Sequence, residues 1–70
     1  MERDKCEAII NEIIKFNIET FVLKLSSNRK IYVDLTKYSI GFTGSYLWIG
    51  RDGVKTTVDY RVIERISFYD

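Results

Sequence analysis

The sequence predicts a mainly β domain, with one N-terminal helix at residues 4–16 followed by a small five-stranded barrel over residues 18–70. Three observations support this fold class. The apolar residues change period near Asn17, from about 3.6 residues before it to about two after it. The dipeptide Asp52-Gly53 is typical of a tight β-hairpin turn. A chain of 70 residues predicts a single domain.

One face of the predicted helix carries its apolar residues together with Asn17, and the residues on it are Cys6, Ile9, Ile10, Ile13, Ile14 and Asn17. Asp4 is placed to cap the first turn, with Glu7 at the spacing of a capping box. Asn17 tolerates the left-handed conformation in which helices often end. We expect the isoleucines of this face to cover an open end or face of the barrel.

Five strands are predicted after the helix, at residues 20–25, 30–35, 46–49 and 54–60 and in a short last segment containing Ile66 and Phe68. Ser26-Ser27-Asn28 is the predicted turn between the first two strands. The segment 36–44 stays unassigned, and Gly41 and Gly44 indicate a bulge or bend within it. A tight corner at residues 61–64 leads into the last strand. A helix, a meander, a hairpin and such a corner are typical of small SH3-like or Sm-like barrels.

The composition favours a binding protein over an enzyme. The chain has no histidine and only one cysteine, Cys6, so the commonest general base is missing and neither an intrachain disulfide nor a zinc site is expected. We expect no catalytic residue, no metal and no cofactor. The 11 basic and 10 acidic residues give a net charge of +1, so any binding of nucleic acid has to come from a local patch.

The sequence also predicts a cytoplasmic protein. No apolar run approaches the roughly 20 residues of a membrane span, and no signal-peptide core follows the charged residues 2–5. A single cysteine fits a reducing compartment. Small domains without a disulfide or a metal are marginally stable on their own, so we expect a well-closed barrel, self-association, or both.

Aromatic residues make up 14% of the chain, which is more than so small a domain can bury. Several lie next to a cation in the sequence, in the pairs Lys30 and Tyr32, Lys37 and Tyr38, and Tyr60 and Arg61. Single-stranded RNA is bound in this way, with bases stacked on rings and cations on phosphates. Protein interfaces use the same residue types, so RNA and protein both remain candidate partners.

Residues 58–66 resemble the second Sm motif, in which a short turn with a tyrosine or a basic residue leads into the fifth strand. Phe42 and Tyr46 are similar to the aromatic-bearing loop of the Sm-like family, which includes bacterial Hfq. The resemblance implies a ring assembled through the fourth and fifth strands, with RNA near its pore. The residues it implies at the RNA site are Phe42, Tyr46, Tyr60 and Arg61, to which we add Lys37 and Arg65 as phosphate-binding cations.

A second, weaker similarity is to the Rof family of Rho inhibitors, in residues 21–25, in Lys30-Ile31 and in residues 65–68. It implies a monomer that blocks a partner's nucleic-acid site. The leading prediction is a non-enzymatic, Sm-like RNA-binding homo-oligomer. The alternatives are a small protein-binding inhibitor or interaction module, Rof-like or of phage type, and a structural subunit of a larger complex.

Overall fold

A computed structural model describes residues 1–68, and in that range the chain has one α-helix and six β-strands. They are α1 (Arg3–Lys15), β1 (Thr20–Leu25), β2 (Lys30–Asp34), β3 (Ser39–Phe42), β4 (Tyr46–Arg51), β5 (Val54–Asp59) and β6 (Ile63–Phe68), with a 3-10 helix, Tyr60–Val62, between β5 and β6. The predicted mainly β fold with an N-terminal helix is confirmed. Tyr69 and Asp70, at the end of the predicted domain, lie outside the described residues.

The strands form two antiparallel sheets of three strands each, in the orders β2-β1-β6 and β3-β4-β5. The predicted closed barrel of five strands is not confirmed. The additional strand, β3, lies in the segment that the sequence left unassigned. It is separate from β2 because the chain turns between them: the backbone N–H groups of Lys37 and Tyr38 both donate to the carbonyl oxygen of Asp34, at 3.0 and 2.9 Å.

The helix and both sheets share one apolar core. Its buried side chains are Cys6, Ile10 and Ile13 from α1, Phe21, Leu23, Leu25, Val33 and Ile63 from the first sheet, Leu47, Ile49 and Val58 from the second, and Tyr60 from the 3-10 helix. Burying apolar surface is the main favourable contribution to folding. A core with contributions from all three layers therefore holds them together as one unit.

The start of α1 differs from the prediction. The helix begins at Arg3 rather than Asp4, and the residue before it, Glu2, makes no side-chain capping bond. The predicted capping box at Asp4 is therefore wrong. The Asp4 carboxylate instead lies within the first turn, where the positive end of the helix dipole favours a negative charge.

The end of α1 follows the prediction closely. Asn17 has a φ of 58°, and the N–H of Ile18 donates to the carbonyl of Ile13 at 3.0 Å. The helix stops at Lys15, one residue before the predicted end. Ile14 was expected on the buried face but is 46% exposed, because the helix contacts the sheets along a narrower stripe than the apolar residues cover.

The predicted turns are confirmed. Asp52 and Gly53 both have positive φ angles, 53° and 80°, as a type I′ hairpin turn between β4 and β5 requires. Asn28 has a φ of 66° in the turn between β1 and β2. These turns keep each pair of consecutive strands in a fixed register, so they also fix which side chains share a face of each sheet.

We expect Ile10→Ala to lower the free energy of unfolding by about 2–5 kcal/mol, because Ile10 is fully buried and its truncation leaves a cavity. Ile14→Ala is the matched control on the next helical turn, and we expect it to cost about 0.5 kcal/mol or less. Urea unfolding followed by circular dichroism measures both. Equal losses in the two variants would contradict an orientation of the helix in which Ile10 faces the core and Ile14 does not.

Candidate functional site

A cleft of about 610 Å³ lies where the N-terminus meets the 3-10 corner. Its lining residues are Met1, Glu2, Arg3, Gly44, Ser45, Asp59, Tyr60 and Arg61. Two of the predicted RNA-binding residues, Tyr60 and Arg61, are thus in this cleft. The other walls come from the start of the helix and the turn between β3 and β4.

Tyr60 is a structural residue of this corner rather than an open stacking surface. Its side chain is only 4% exposed, and its hydroxyl donates a 2.7 Å hydrogen bond to the carbonyl of Thr43. Burial raises the pKa of the Tyr60 phenol, so the hydroxyl keeps its proton. The amino group of Met1 donates to the carbonyls of Tyr60 and Ile63, at 3.0 and 2.9 Å. The corner is therefore held from two sides.

Arg61 is exposed, but its charge is paired with a neighbouring carboxylate. Its Nη2 lies 2.8 Å from Oδ2 of Asp59, and its backbone N–H donates to Oδ1 of the same carboxylate at 2.9 Å. The side-chain bond from Arg61, followed by the backbone bond, lowers the pKa of Asp59 to about 2. At neutral pH the pair carries no net charge, which weakens its attraction for phosphate.

The predicted aromatic pair in the turn between β3 and β4 is divided between the two faces of its sheet. Phe42 packs against the apolar core. Tyr46 is 39% exposed, and its Cα partner on β5 is Asp59. Thr43 orders the turn: its Oγ1 accepts a bond from the N–H of Tyr46 at 3.0 Å and donates to the carbonyl of Tyr46 at 2.9 Å. Of this pair, Tyr46 has the exposed ring, while Phe42 is half-buried.

A second cleft, of about 380 Å³, lies at the turn between β2 and β3, and here aromatic rings and cations come together. Among its lining residues are Val22, Tyr32, Asp34, Lys37, Tyr38 and Arg51. Tyr32 is 69% exposed, and the guanidinium carbon of Arg51 lies 5.5 Å from the centre of the Tyr38 ring. We name this group, Tyr32, Lys37, Tyr38 and Arg51, the Arg51 cleft.

Asp34 orders the turn that brings Lys37 and Tyr38 into this cleft. Its Oδ1 accepts bonds from the hydroxyl and the N–H of Thr36, at 2.6 and 2.9 Å. The hydroxyl bond, followed by the N–H bond, lowers the pKa of Asp34, with smaller effects of Lys37 and Arg51 in the same direction. The carboxylate therefore stays ionised at neutral pH and keeps the turn in place.

The remaining predicted cations lie apart from one another. Lys37 belongs to the Arg51 cleft, while Arg65 lies on β6 opposite Lys24 and lines neither cleft. Arg51 is not among the predicted site residues, because no local pattern distinguishes it. Its position directly before the Asp52-Gly53 turn is visible in the sequence, but its contact with Tyr38 depends on how β3 pairs with β4.

An apolar groove lies between the end of α1 and β6. Ile9, Ile13, Phe16, Ile18 and Phe68 line its volume of about 230 Å³, together with Glu12. Phe16 and Phe68 are 66% and 49% exposed. Exposed apolar groups of this kind are typical of surfaces that contact other macromolecules.

No protein-family model, curated protein or solved structure matches the chain. Within residues 1–68 no three His, Cys, Asp or Glu side chains come together as a metal site would need. In the same range, the helix is neither long enough nor apolar enough to span a membrane.

We expect carboxyl-detected NMR titration to give a pKa of about 2 for Asp59, against an ordinary value of 3.8. A lowered pKa means that the bonds to Arg61 stabilise the fold at pH values above 3.8 and lose this effect as the pH falls towards 2. Arg61→Ala should raise the pKa only part of the way to 3.8, because the backbone bond remains. Arg65→Ala, on the next strand, is the control. A native midpoint near 3.8 would contradict the pairing.

Proposed function

We propose that this chain is a non-enzymatic protein that binds single-stranded RNA as an Sm-like homo-oligomer. The observation that carries the proposal is the Arg51 cleft, in which two tyrosines and two cations line one depression. The RNA site is therefore centred on this cleft and not on the Tyr60 corner that the family resemblance implies.

The chemistry of the cleft suits an unpaired nucleotide. Tyr32 has an exposed ring on which a base can stack, and its cross-strand partner Val22 gives the cleft an apolar lining. Lys37 and Arg51 can contact the phosphates on either side of that base. Arg51 also has a carboxylate neighbour, but its Nε lies 3.5 Å from Oδ2 of the exposed Asp52, a looser pairing than the 2.8 Å contact between Arg61 and Asp59. Stacking on aromatic rings combined with cations along the backbone is the usual way in which proteins hold single strands.

The arrangement of strands supports the Sm-like part of the proposal. In this proposal the two sheets are the halves of one small barrel, and β2 and β3 are the two arms of one strand that bends at residues 35–38. After the 3-10 corner, β6 returns to pair with β1. This order of elements is the one that the Sm resemblance implies.

The outer edges of β5 and β6 support the homo-oligomer of the proposal. In the described part of the chain, β5 pairs with β4 and β6 pairs with β1, and neither has a strand on its other side. Unpaired edges are templates for pairing with another chain. In the proposal, β5 of one copy pairs with β6 of the next, and the ring closes with the edges of β5 and β6 paired in every copy.

We expect Arg51→Ala to weaken binding of an oligouridylate of about ten nucleotides and to make the slope of log K against log salt less steep by about 0.7. The salt effect arises because one phosphate contact, and the counterion that it releases, is lost. Fluorescence anisotropy across a salt series measures both quantities.

Arg29→Ala is the matched control for this experiment, since Arg29 is exposed in the turn at the other end of β2. Arg61→Ala distinguishes the Arg51 cleft from the Tyr60 corner. A larger loss of affinity with Arg61→Ala than with Arg51→Ala would show that the RNA site is at the Tyr60 corner. An unchanged affinity in both variants would show that neither arginine belongs to the RNA site.

Light scattering should give a mass that is a multiple of the 8.3 kDa chain, with a hexamer or heptamer as the ring. The ratio of absorbance at 260 and 280 nm should report co-purified nucleic acid. Charged substitutions on the β5 edge, such as Thr56→Lys, should dissociate the ring because a lysine on an edge strand opposes pairing with another strand. A clean monomer without nucleic acid would contradict the homo-oligomer.

A second candidate function is a protein-binding inhibitor or interaction module, and the apolar groove between α1 and β6 favours it. Phe16 and Phe68 are exposed there, and contact with a partner protein would bury them. Binding through this groove should be insensitive to salt and should be lost in Phe16→Ala while Arg51→Ala has no effect. That pattern would favour an inhibitor over an RNA-binding protein.

A further inference from the structure

Trp48 has an unusual place on the outward face of the β3-β4-β5 sheet. It is directly opposite Gly41 on β3, and the indole lies so close that a Cβ at position 41 would overlap its ring. A Cβ on Gly50 would lie 3.3 Å from Cζ3 of Trp48. The two glycines thus leave the space in which the indole rests against the sheet.

The indole of Trp48 is in contact with a cation, as the ring of Tyr38 is. Nζ of Lys55 lies 4.4 Å from the centre of the indole, and both residues line a third cleft, of about 220 Å³. A lysine in this position is held by cation–π attraction, which is worth only about 0.5–1 kcal/mol at an exposed site. A stacking base can therefore displace the ammonium group from the ring. The side chain of Lys55 is long enough for the displaced ammonium group to contact a neighbouring phosphate.

Arg51 lines this third cleft and the Arg51 cleft alike. The two clefts are therefore neighbours that share Arg51. Beyond Trp48, Tyr46 lies two residues along β4, on the same outward face of the sheet. Rings and cations thus follow one another from Tyr32 through Arg51 to Trp48.

We infer that a bound single strand continues from the Arg51 cleft over the outward face of the sheet, with a base stacked on Trp48 and Lys55 on its phosphate. The inference rests on the proposed function and specifies its ligand: an extended strand of several nucleotides, and not a mononucleotide. Sheet-borne aromatic rings bind successive bases of single-stranded RNA in other folds too.

Trp48 is the single tryptophan of the chain, so its fluorescence reports directly on this site. Titration with the oligouridylate should quench Trp48 along the same curve as the anisotropy signal. Uridine monophosphate should bind far more weakly. Trp48→Ala should weaken binding by about 5- to 150-fold, the effect of losing one stacked base, while Trp48→Phe should retain most of the affinity.

Gly41→Ala is a second test that leaves the indole in the chain. The added methyl group displaces the ring from its place on the sheet, and we expect weaker binding and less quenching, with Arg29→Ala again as the unchanged control. Circular dichroism confirms that each variant is folded.

The outcomes separate this inference from the proposed function. Binding that depends on Arg51 but leaves Trp48 fluorescence and the affinity of Trp48→Ala unchanged would overturn the inference, while RNA binding at the Arg51 cleft would stand. Absence of any binding by anisotropy would overturn the proposed function, and the inference with it.

Discussion

The hydrogen bond from Tyr60 to the carbonyl of Thr43 ties together the parts of this structure that no strand pairing connects. At this corner the chain leaves β5 in one sheet and enters β6 in the other, so its conformation sets how the sheets meet. The bond fixes the corner against the turn between β3 and β4. The amino group of Met1, bonded to the carbonyls of Tyr60 and Ile63, fixes the start of the helix to the same point. A buried hydroxyl without an acceptor is costly. Any movement of the corner away from the Thr43 carbonyl would therefore destabilise the fold, so Tyr60 has a structural role.

Much of the fold was predictable because local chemistry determines it. The period of two identifies the strands, and Asp52-Gly53 permits a turn with two positive φ angles. The predictions of the fold were wrong or incomplete where tertiary contacts, and not the local sequence, determine the conformation. Asp4 satisfies the local pattern of a cap, yet the helix begins at Arg3. The break between β2 and β3 was not predictable, because it depends on the hydrogen bonds that converge on Asp34.

The site was predictable in its residue types but not in its location. Tyrosines beside cations indicated a surface for RNA or protein, and Lys37 does lie in an aromatic and basic cleft. The sequence could not tell that Tyr60 is buried, because residues at a corner follow neither helical nor strand periodicity. The contact between Arg51 and Tyr38 could not be predicted from the sequence either, because the two residues are neighbours only through the pairing of β3 with β4.

The fit between Trp48 and Gly41 has a consequence for how the sequence can change over time. Few substitutions are tolerated at either position alone. A side chain at position 41 collides with the indole of Trp48. A smaller residue at position 48 leaves Gly41 uncovered, and a glycine without a packing partner weakens its strand. The two positions are therefore coupled, so the effect of a change at one depends on the residue at the other. Among divergent copies of this gene, they should vary together, and a suppressor screen started from a substitution at position 41 should recover changes at position 48.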